Sequence, residues 1–375
     1  MNFSELYLYR CIELARLGAG HAAPNPMVGA VLVHGDRIIG EGYHQIYGQA
    51  HAEVNCIASV KEEDRPLIRE STIYVSLEPC AHFGKTPPCA DLIIREGIPR
   101  VVVGCRDPFP QVDGKGIEKL RAAGVEVAVG VLEQECRELN RRFFTFHTKH
   151  RPYIVLKWAQ SINGKIAGLE EPLAGPGGGA GGHRGEPLAG NNGGRRERVL
   201  ISNEYTNRLV HKWRSEEASI LVGTNTALVD DPSLTVRLWK GVNPIRLVMD
   251  RDLSLPEHLR LFDGEARTIV FNELLHEQRG HLEYYQLATD SSLVHQLAMA
   301  LYQLKISSVL IEGGAAVLQS FIDEGYWDEA RVITNETLQI PDGLASPVLR
   351  GERLVEQERL FSDVINYYRP VSGGF

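Results

Sequence analysis

The chain has 375 residues, which suggests two or three domains because one domain usually takes about 100 to 200. Apolar residues make up 43% and charged residues 23%, proportions that exclude wholesale disorder, a collagen repeat and a disulfide-stapled miniprotein. The formal net charge is −8 and no Lys/Arg block stands out, so we expect no nucleic-acid partner. No apolar run reaches about 18 residues and the six Cys suit a reducing compartment, so we expect no membrane span and a cytoplasmic location.

The first 147 residues alternate between helical and strand patterns. Apolar residues at helical spacing predict an opening helix that ends at Gly18, and two β-branched runs around Gly35 predict a hairpin. The segments AHAEVNCIASV, CADLIIREG and GIEKLRAAG are typical of helices, whereas STIYVSLEP, RVVVGCRDP and VEVAVGV are typical of strands. This alternation predicts a layered α/β domain over residues 1–147.

A second α/β domain is predicted over residues 148–375. Its strand candidates are PYIVLKWAQS, ASILVGT, IRLVMD, TIVF and SSVLIEGG. Residues 168–194 include eleven Gly, too few side chains to bury a core, so we expect a loop there. The string EPLAG occurs twice in this segment, which indicates a slipped duplication more than a structural repeat.

Three separated pieces of the first domain carry a candidate metal site. Zinc favours thiolate and imidazole ligands, and a catalytic zinc keeps three protein ligands and leaves its fourth position for water. We therefore predict that His51, Cys80 and Cys89 bind zinc. Glu53 follows His51 by two residues and would carry a proton from the activated water to the departing amine. This combination is the general signature of zinc nucleobase deaminases.

Other interpretations of the same residues remain open. A closed structural zinc site would need a fourth protein ligand, for which His82 and Cys56 are the candidates, and the three ligands could also be ordinary buried residues. The eight residues between Cys80 and Cys89 exceed the spacing of about two to four that is common in structural sites. That long loop carries polar groups suited to a phosphorylated substrate.

The motifs PNPMVGAVLV, GYHQIYGQAHAE and SLEPCAHFGKTPPCADLI together resemble the deaminase half of the bifunctional riboflavin-biosynthesis deaminase-reductases. The resemblance implies a cytidine-deaminase-like layered α/β domain. It also implies that Asn25 and His44 line the pyrimidine pocket and that Lys85 approaches the ribose phosphate. The alternatives are that Asn25, between two prolines, is a turn residue and that Lys85 is a solvated loop cation.

The motifs KWAQSINGKIA, VGTNTALVDDPSLTVR and LIEGG resemble the reductase half of the same family, which has a dihydrofolate-reductase-like α/β fold and uses NADPH. The positions that the resemblance assigns to NADPH are Ala159, Thr226, Asp230 and Gly314. The positions that it assigns to substrate are Arg214, Leu234, Arg237 and Glu312. The alternatives are a strand-to-helix turn without ligand at Gly313–Gly314 and a surface cation at Arg214.

The sequence departs from this family pattern in two places. Asn163 stands where Asp is common, and residues 198–201 replace a Ser-x-Trp-Ile element, which puts Leu200 in place of the Trp. If that Trp normally packs against the cofactor, NADPH binding is weakened here. A deaminase with a degenerate reductase domain is therefore an alternative.

Together the motifs predict one chain with two activities in riboflavin biosynthesis. The first is zinc-dependent hydrolytic deamination of 2,5-diamino-6-ribosylamino-4(3H)-pyrimidinone 5′-phosphate. The second is NADPH-dependent reduction of the ribosyl side chain to ribityl, giving 5-amino-6-(5-phospho-D-ribitylamino)uracil. Rival hypotheses are a zinc deaminase for another base and a noncatalytic zinc-stabilised binding protein. We expect a small phosphorylated pyrimidine as partner, and a homo-oligomer would be unsurprising.

Overall fold

The computed structural model describes residues 3–83, 87–110, 112–168, 200–288 and 291–371. The predicted substrate contact Lys85 lies outside the described residues, as does the glycine-rich segment 168–194 apart from Gly168. The helices and strands of the N-terminal domain are α1 (Phe3–Arg16), β1 (Gly29–His34), β2 (Arg37–Tyr43), α2 (Ala52–Ala58), β3 (Thr72–Leu77), α3 (Cys89–Glu96), β4 (Arg100–Cys105), α4 (Lys115–Ala122), β5 (Glu126–Val129), α5 (Glu133–Leu139) and α6 (Arg141–Lys149). A 3₁₀ segment, Glu62–Glu70, precedes β3.

The N-terminal domain is a five-stranded sheet with helices on both faces. The strand order is β2-β1-β3-β4-β5, with β1 antiparallel to both neighbours and β3, β4 and β5 parallel. Apolar side chains of α2, α3 and α4 pack on one face, and those of α1, α5 and α6 pack on the other. The predicted opening helix, hairpin and helix–strand alternation are confirmed. The parallel strands β3 and β4 bring the segments that follow them, which begin at Glu78 and Arg106, to the same edge of the sheet.

The C-terminal domain has a larger mixed sheet. Its helices and strands are β6 (Tyr153–Ser161), β7 (Lys165–Gly168), α7 (Glu204–Glu216), β8 (Ser219–Gly223), α8 (Thr224–Asp230), β9 (Ile245–Met249), β10 (Thr268–Asn272), β11 (Glu277–Arg279), β12 (Leu282–Gln286), α9 (Leu293–Gln303), β13 (Ser308–Ile311), α10 (Ala315–Asp323), β14 (Glu329–Asn335), β15 (Gly343–Ala345), β16 (Glu352–Leu360) and β17 (Asp363–Pro370). A short 3₁₀ turn, Arg260–Phe262, follows β9.

Ten of these strands pair in the order β11-β12-β10-β9-β8-β13-β6-β14-β17-β16 within the described residues. The run from β10 to β14 is parallel, because each strand in it pairs in parallel with the next. Helices α9 and α10 cover one face with a large apolar core, while α7 and α8 cover the other face. All predicted strands of the second domain are confirmed. No helix among the described residues combines the length and the apolar character that crossing a bilayer requires.

Buried ion pairs join the two domains. Arg142, at the start of α6, donates from Nε and Nη2 to the two carboxylate oxygens of Glu217. Glu217 directly follows α7, and its side chain is fully buried. Arg141 pairs with Glu329 on β14 at 2.7 Å. The two domains also approach each other closely at Gly20. A Cβ at this position would collide with the carbonyl oxygen of Ser215, so glycine is required there. Such ion pairs fix a relative orientation because a displaced partner would leave an uncompensated buried charge.

Candidate active sites

The predicted zinc ligands come together from three chain segments. His51 immediately precedes α2, Cys80 follows β3, and Cys89 is the first residue of α3. The Nδ1 atom of His51 lies 3.5 Å from Sγ of Cys80 and 3.4 Å from Sγ of Cys89. A tetrahedral zinc site with Zn–S of about 2.3 Å and Zn–N of about 2.0 Å places ligand atoms roughly 3.6 Å apart. The donor set therefore fits zinc in chemistry and in spacing.

The cluster has three protein ligands among the described residues, and neither His82 nor Cys56 belongs to it. Three ligands are typical of a catalytic zinc that keeps one position for water, whereas a structural site takes four. The contact with the Cys89 thiol lowers the pKa of Cys80 to about 4 and raises the pKa of Cys89, because the two sulfurs share one negative charge. A divalent cation between them would stabilise both thiolates.

Glu53 lies on the first turn of α2 and is 3% exposed. Burial, with a smaller contribution from the charge of Cys80, raises the pKa of its carboxyl to about 7. A carboxyl group that titrates near neutrality can both accept and return a proton, as general acid-base catalysis requires. The position of Glu53 beside the three ligands is therefore suited to proton transfer and not to metal binding.

Asn25 and His44 meet on the wall of the same cleft, which has a volume of about 680 Å³. Nδ1 of His44 lies 3.0 Å from the carbonyl oxygen of Ala50, and Nε2 lies 3.1 Å from Nδ2 of Asn25. Burial lowers the pKa of His44, so the ring is neutral, donates from Nδ1 and accepts from the Asn25 amide. The side chain of Asn25 thus has a fixed partner at the cleft, which the turn interpretation does not require.

A further buried carboxylate, which no sequence motif singled out, lines the same cleft. Glu78 is 4% exposed and accepts hydrogen bonds from the backbone N–H groups of Gly114 and Gly116, each at 3.0 Å. It accepts two longer ones, at 3.3 Å, from Asp107 and Ile117. Glu78 therefore ties the Cys80 turn to the loop after β4. Its position directly before Pro79-Cys80 is the only sequence signal that could have suggested this role.

A second cleft, of about 580 Å³, lies in the C-terminal domain. All eight positions assigned by resemblance line it, namely Ala159, Thr226, Asp230, Gly314, Arg214, Leu234, Arg237 and Glu312. Gly314 has φ +50° at the start of α10, and Gly313 approaches Thr226 so closely that a Cβ would lie 2.9 Å from its methyl carbon. The absence of a Cβ lets Thr226 approach this helix start, where its Oγ1 accepts a hydrogen bond of 2.9 Å from the N–H of Gly314.

Arg214 and Glu312 form a buried bidentate ion pair in this second cleft. The Nε and Nη2 atoms of Arg214 donate to the two carboxylate oxygens of Glu312 at 2.8 and 2.7 Å. Although burial opposes ionisation, attraction by Arg214 and Lys157 outweighs it and lowers the pKa of Glu312 to about 2. The surface interpretation of Arg214 is wrong, because its side chain is only 13% exposed. The pairing holds the guanidinium in one orientation.

His211, which no sequence motif singled out, lies on α7 one turn before Arg214 and is 2% exposed. Its Nδ1 accepts a hydrogen bond of 3.1 Å from the backbone N–H of Arg237. Burial first, and then the charges of Arg214 and Arg237, lower the pKa of His211 to about 4, so the ring is neutral. The spacing of three residues from Arg214 on a helix was the available signal. Leu234 also lines this cleft, where the residue is 2% exposed and has φ +50°.

The two departures from the family pattern have different structural consequences. The Asn163 amide donates to the carbonyl oxygen of Ile340 at 2.7 Å and accepts from the N–H of the same residue at 3.2 Å. An Asp carboxylate could not donate the first of these bonds, so Asn163 closes a loop outside the cleft lining. Leu200 does line the cleft and is 81% exposed, so this position would present a larger side chain directly to a ligand.

Comparisons with known proteins cover both domains. Residues 1–105 match the family model of the cytidine and deoxycytidylate deaminase zinc-binding region, and residues 152–338 match the RibD C-terminal domain. The riboflavin biosynthesis protein RibD of Aquifex aeolicus is 39% identical over 346 residues, which cover 90% of this chain and 89% of that protein. The RibD protein of Escherichia coli is 33% identical, with 98% of this chain and 97% of that protein covered.

A solved structure from Thermotoga maritima agrees with both matches. It is described as a diaminohydroxyphosphoribosylaminopyrimidine deaminase/5-amino-6-(5-phosphoribosylamino)uracil reductase and is 37% identical. It covers 98% of this chain and 99% of its own, with a TM-score of 0.83. The expected fold class, a cytidine-deaminase-like domain followed by a reductase domain, is confirmed. The chain belongs to the RibD family of bifunctional riboflavin-biosynthesis deaminase-reductases.

Proposed function

We propose that this chain deaminates 2,5-diamino-6-ribosylamino-4(3H)-pyrimidinone 5′-phosphate and then reduces the ribosyl group of the product to ribityl. The observation that carries the proposal is the presence of two separate clefts, one with the His51, Cys80 and Cys89 cluster and one with the Arg214–Glu312 pair. The two clefts match the two chemistries. We propose domain limits of 1–147 and 148–375, a division that falls in the last turn of α6.

In the first cleft, His51, Cys80 and Cys89 would hold zinc. When bound, zinc lowers the pKa of a water molecule toward neutrality, so that its oxygen can add to the ring carbon that bears the 2-amino group. Glu53 would take a proton from that water and return it to the amine, which leaves as ammonia. Asn25, held against the neutral His44 ring, would hydrogen-bond the pyrimidine edge. Lys85 would approach the phosphate.

In the second cleft, NADPH supplies the hydride that reduces the sugar C1′ of the open-chain form. The cofactor would contact Ala159, Thr226, Asp230 and the backbone from Gly314. Arg237 and the preoriented Arg214 would bind the phosphate of the intermediate, because a guanidinium matches phosphate oxygens in geometry. Glu312 would hold Arg214 in place and face the sugar, and Leu234 would complete this wall.

The rival hypotheses lose support for different reasons. A noncatalytic zinc protein does not account for a raised Glu53 pKa beside a three-ligand cluster. A degenerate reductase is not favoured, because the eight assigned positions share one cleft and Asn163 has a structural partner outside it. A small phosphorylated pyrimidine as partner, a cytoplasmic location and a homo-oligomer stay predictions.

Mass spectrometry of the products of the zinc-loaded chain tests the proposal directly. Without NADPH, the diaminopyrimidinone ribosylamino phosphate should react with one water and exchange one amino group for a hydroxyl (keto) group, with release of ammonia. With NADPH, the product should then gain two hydrogens. Deamination that never proceeds to the ribityl compound would refute the reductase half alone, and failure of the first step would refute the deaminase half.

A further inference from the structure

One wall of the deaminase cleft comes from the other domain. The end of α9 and the turn that follows it lie against the cleft and contribute Tyr302, Gln303, Lys305 and Ser307 to the lining. Tyr302 packs on Phe146 of α6, with ring centroids 4.8 Å apart. The ion pairs of Arg141 with Glu329 and of Arg142 with Glu217 join the two domains and so help to keep this wall beside the cleft.

Lys305 occupies a backbone position that normally favours glycine. The N–H of Lys305 donates to the carbonyl oxygen of Tyr302 at 3.0 Å, and the N–H of Ile306 donates to that of Leu301 at 2.9 Å. These two bonds define a Schellman turn whose left-handed residue is Lys305, with φ +58°. A glycine would form the same turn without strain, so the lysine side chain is an addition that the turn itself does not need.

Lys305 is also distinguished by its charge. Among the described residues that line the deaminase cleft, carboxyl groups belong to Glu53, Glu78 and Asp107, while Lys305 is the only lysine or arginine. No ion pair joins Lys305 to a carboxylate within the described part of the chain. A phosphate dianion in a cleft lined by acidic side chains is stabilised by cations, and Lys305 would supply one in addition to the proposed contact of Lys85.

We propose that Lys305 binds the phosphate of the deaminase substrate, so that the C-terminal domain completes the substrate site of the N-terminal domain. The inference rests on the proposed deamination of a phosphorylated pyrimidine. The ammonium group would donate to phosphate oxygens at the cleft rim while the pyrimidine ring reaches Glu53. An exposed rim position suits lysine, which acts as a hydrated point charge on a flexible stem. Deamination would then depend on the relative orientation of the two domains.

The variant Lys305→Gly tests this contact in the full-length, zinc-loaded chain. We expect KM for the phosphorylated substrate to rise about 10- to 100-fold with little change in kcat, because a hydrogen bond to a charged group is lost. The dephosphorylated substrate should be deaminated as by the unaltered chain. Lys305→Arg should retain most of the affinity. The melting temperature of Lys305→Gly should be unchanged or higher, since glycine adopts this φ freely.

The control is Lys119→Met, which removes an equal charge from a surface pair with Asp91 outside the cleft lining. Lys119→Met should leave KM unchanged. The Glu53→Gln variant should bind the substrate without converting it, so the dissociation constant can be measured at equilibrium with and without Lys305→Gly. This measurement tests the Lys305 contact independently of the proposed activity. Equal binding of the phosphorylated substrate by both forms, or equal weakening for the phosphorylated and dephosphorylated substrates, would overturn the role of Lys305.

Discussion

Each of the two clefts contains a buried glutamate, and the pKa values of these two glutamates are shifted in opposite directions. At the deaminase cleft, burial of Glu53 and the negative charge of Cys80 outweigh the attraction by His51 and raise the pKa of Glu53 to about 7. At the reductase cleft, Glu312 is buried against Arg214 and Lys157, and its pKa is lowered to about 2. Burial raises the pKa of both carboxyl groups. Arg214 and Lys157 lower the pKa of Glu312, whereas the negative charge of Cys80 adds to the effect of burial on the pKa of Glu53.

This contrast separates a carboxyl group that transfers protons from one that orients a partner. A proton carrier needs a pKa near the working pH, and burial moves the pKa of Glu53 in that direction. An orienting carboxylate needs a permanent charge, which a bidentate arginine provides. The same residue type therefore serves chemistry in one cleft and positioning in the other.

The largest expected effect is on the deaminase side. Glu53→Gln should lower kcat of deamination about 10²- to 10⁴-fold, because an amide cannot carry the proton. Zinc content by metal analysis and the NADPH-dependent activity should stay at the level of the unaltered chain. The control Glu70→Gln, at a side chain 76% exposed, should change neither activity. Loss of both activities in Glu53→Gln would contradict the independence of the two clefts.

Removal of the cation in the second cleft should act on stability. Arg214→Met leaves Glu312 buried with only Lys157 at 3.9 Å, and we expect the free energy of unfolding to fall by about 3 to 5 kcal/mol. All four Trp residues lie in the C-terminal domain, so tryptophan fluorescence during urea unfolding reports on that domain. The matched control Arg251→Met breaks an exposed pair with Glu273 and should cost less than about 1 kcal/mol. Equal losses in both variants would show that burial of the pair is unimportant.

The loss of unfolding free energy in Arg214→Met should depend on pH, because it depends on the charge of Glu312. The folded pKa of Glu312 is about 2 against an ordinary value of 4.5, so its ionisation stabilises the fold above about pH 4.5 and this contribution is lost as the pH falls toward 2. The shift corresponds to on the order of 3 kcal/mol. We therefore expect the difference between Arg214→Met and the unaltered chain to be largest at pH 7 and to shrink by pH 3. A difference that is constant over this range would assign the loss to packing.

The smallest expected effect concerns His211. His211→Ala removes the acceptor for the Arg237 N–H and should raise KM for the reductase substrate roughly 10-fold, as for one lost hydrogen bond. In His211→Asn the side-chain oxygen can replace Nδ1, so this variant should recover most of the affinity. Neither variant should alter the pH profile of kcat, because the ring is already neutral. A changed pH profile would instead make His211 a proton donor, and His258→Ala, at an exposed position, controls for loss of a histidine.

The zinc cluster was predictable because its ligands are residue types typical of zinc sites and lie at short, recognisable spacings. His51 and Glu53 are two residues apart, and two cysteines near the end of a predicted strand and the start of a helix complete the set. Glu78 and His211 were not predicted, although both are buried. Their hydrogen-bond partners lie 26 to 39 residues away and are backbone N–H groups. Almost every residue type has a backbone N–H, so the sequence does not show which one serves as the partner.

Sequence patterns were enough to predict the order of the helices and strands, the family, and the residue types available in each cleft. Hydrophobic periodicity and motif spacing are local properties, so they can be read without coordinates. The tertiary structure decided that Arg214 is buried against Glu312, that Asn163 closes a loop outside the cleft, and that Lys305 lines the deaminase cleft. These outcomes depend on contacts between residues roughly 100 to 250 positions apart, which follow from sheet order and domain packing and not from any local pattern.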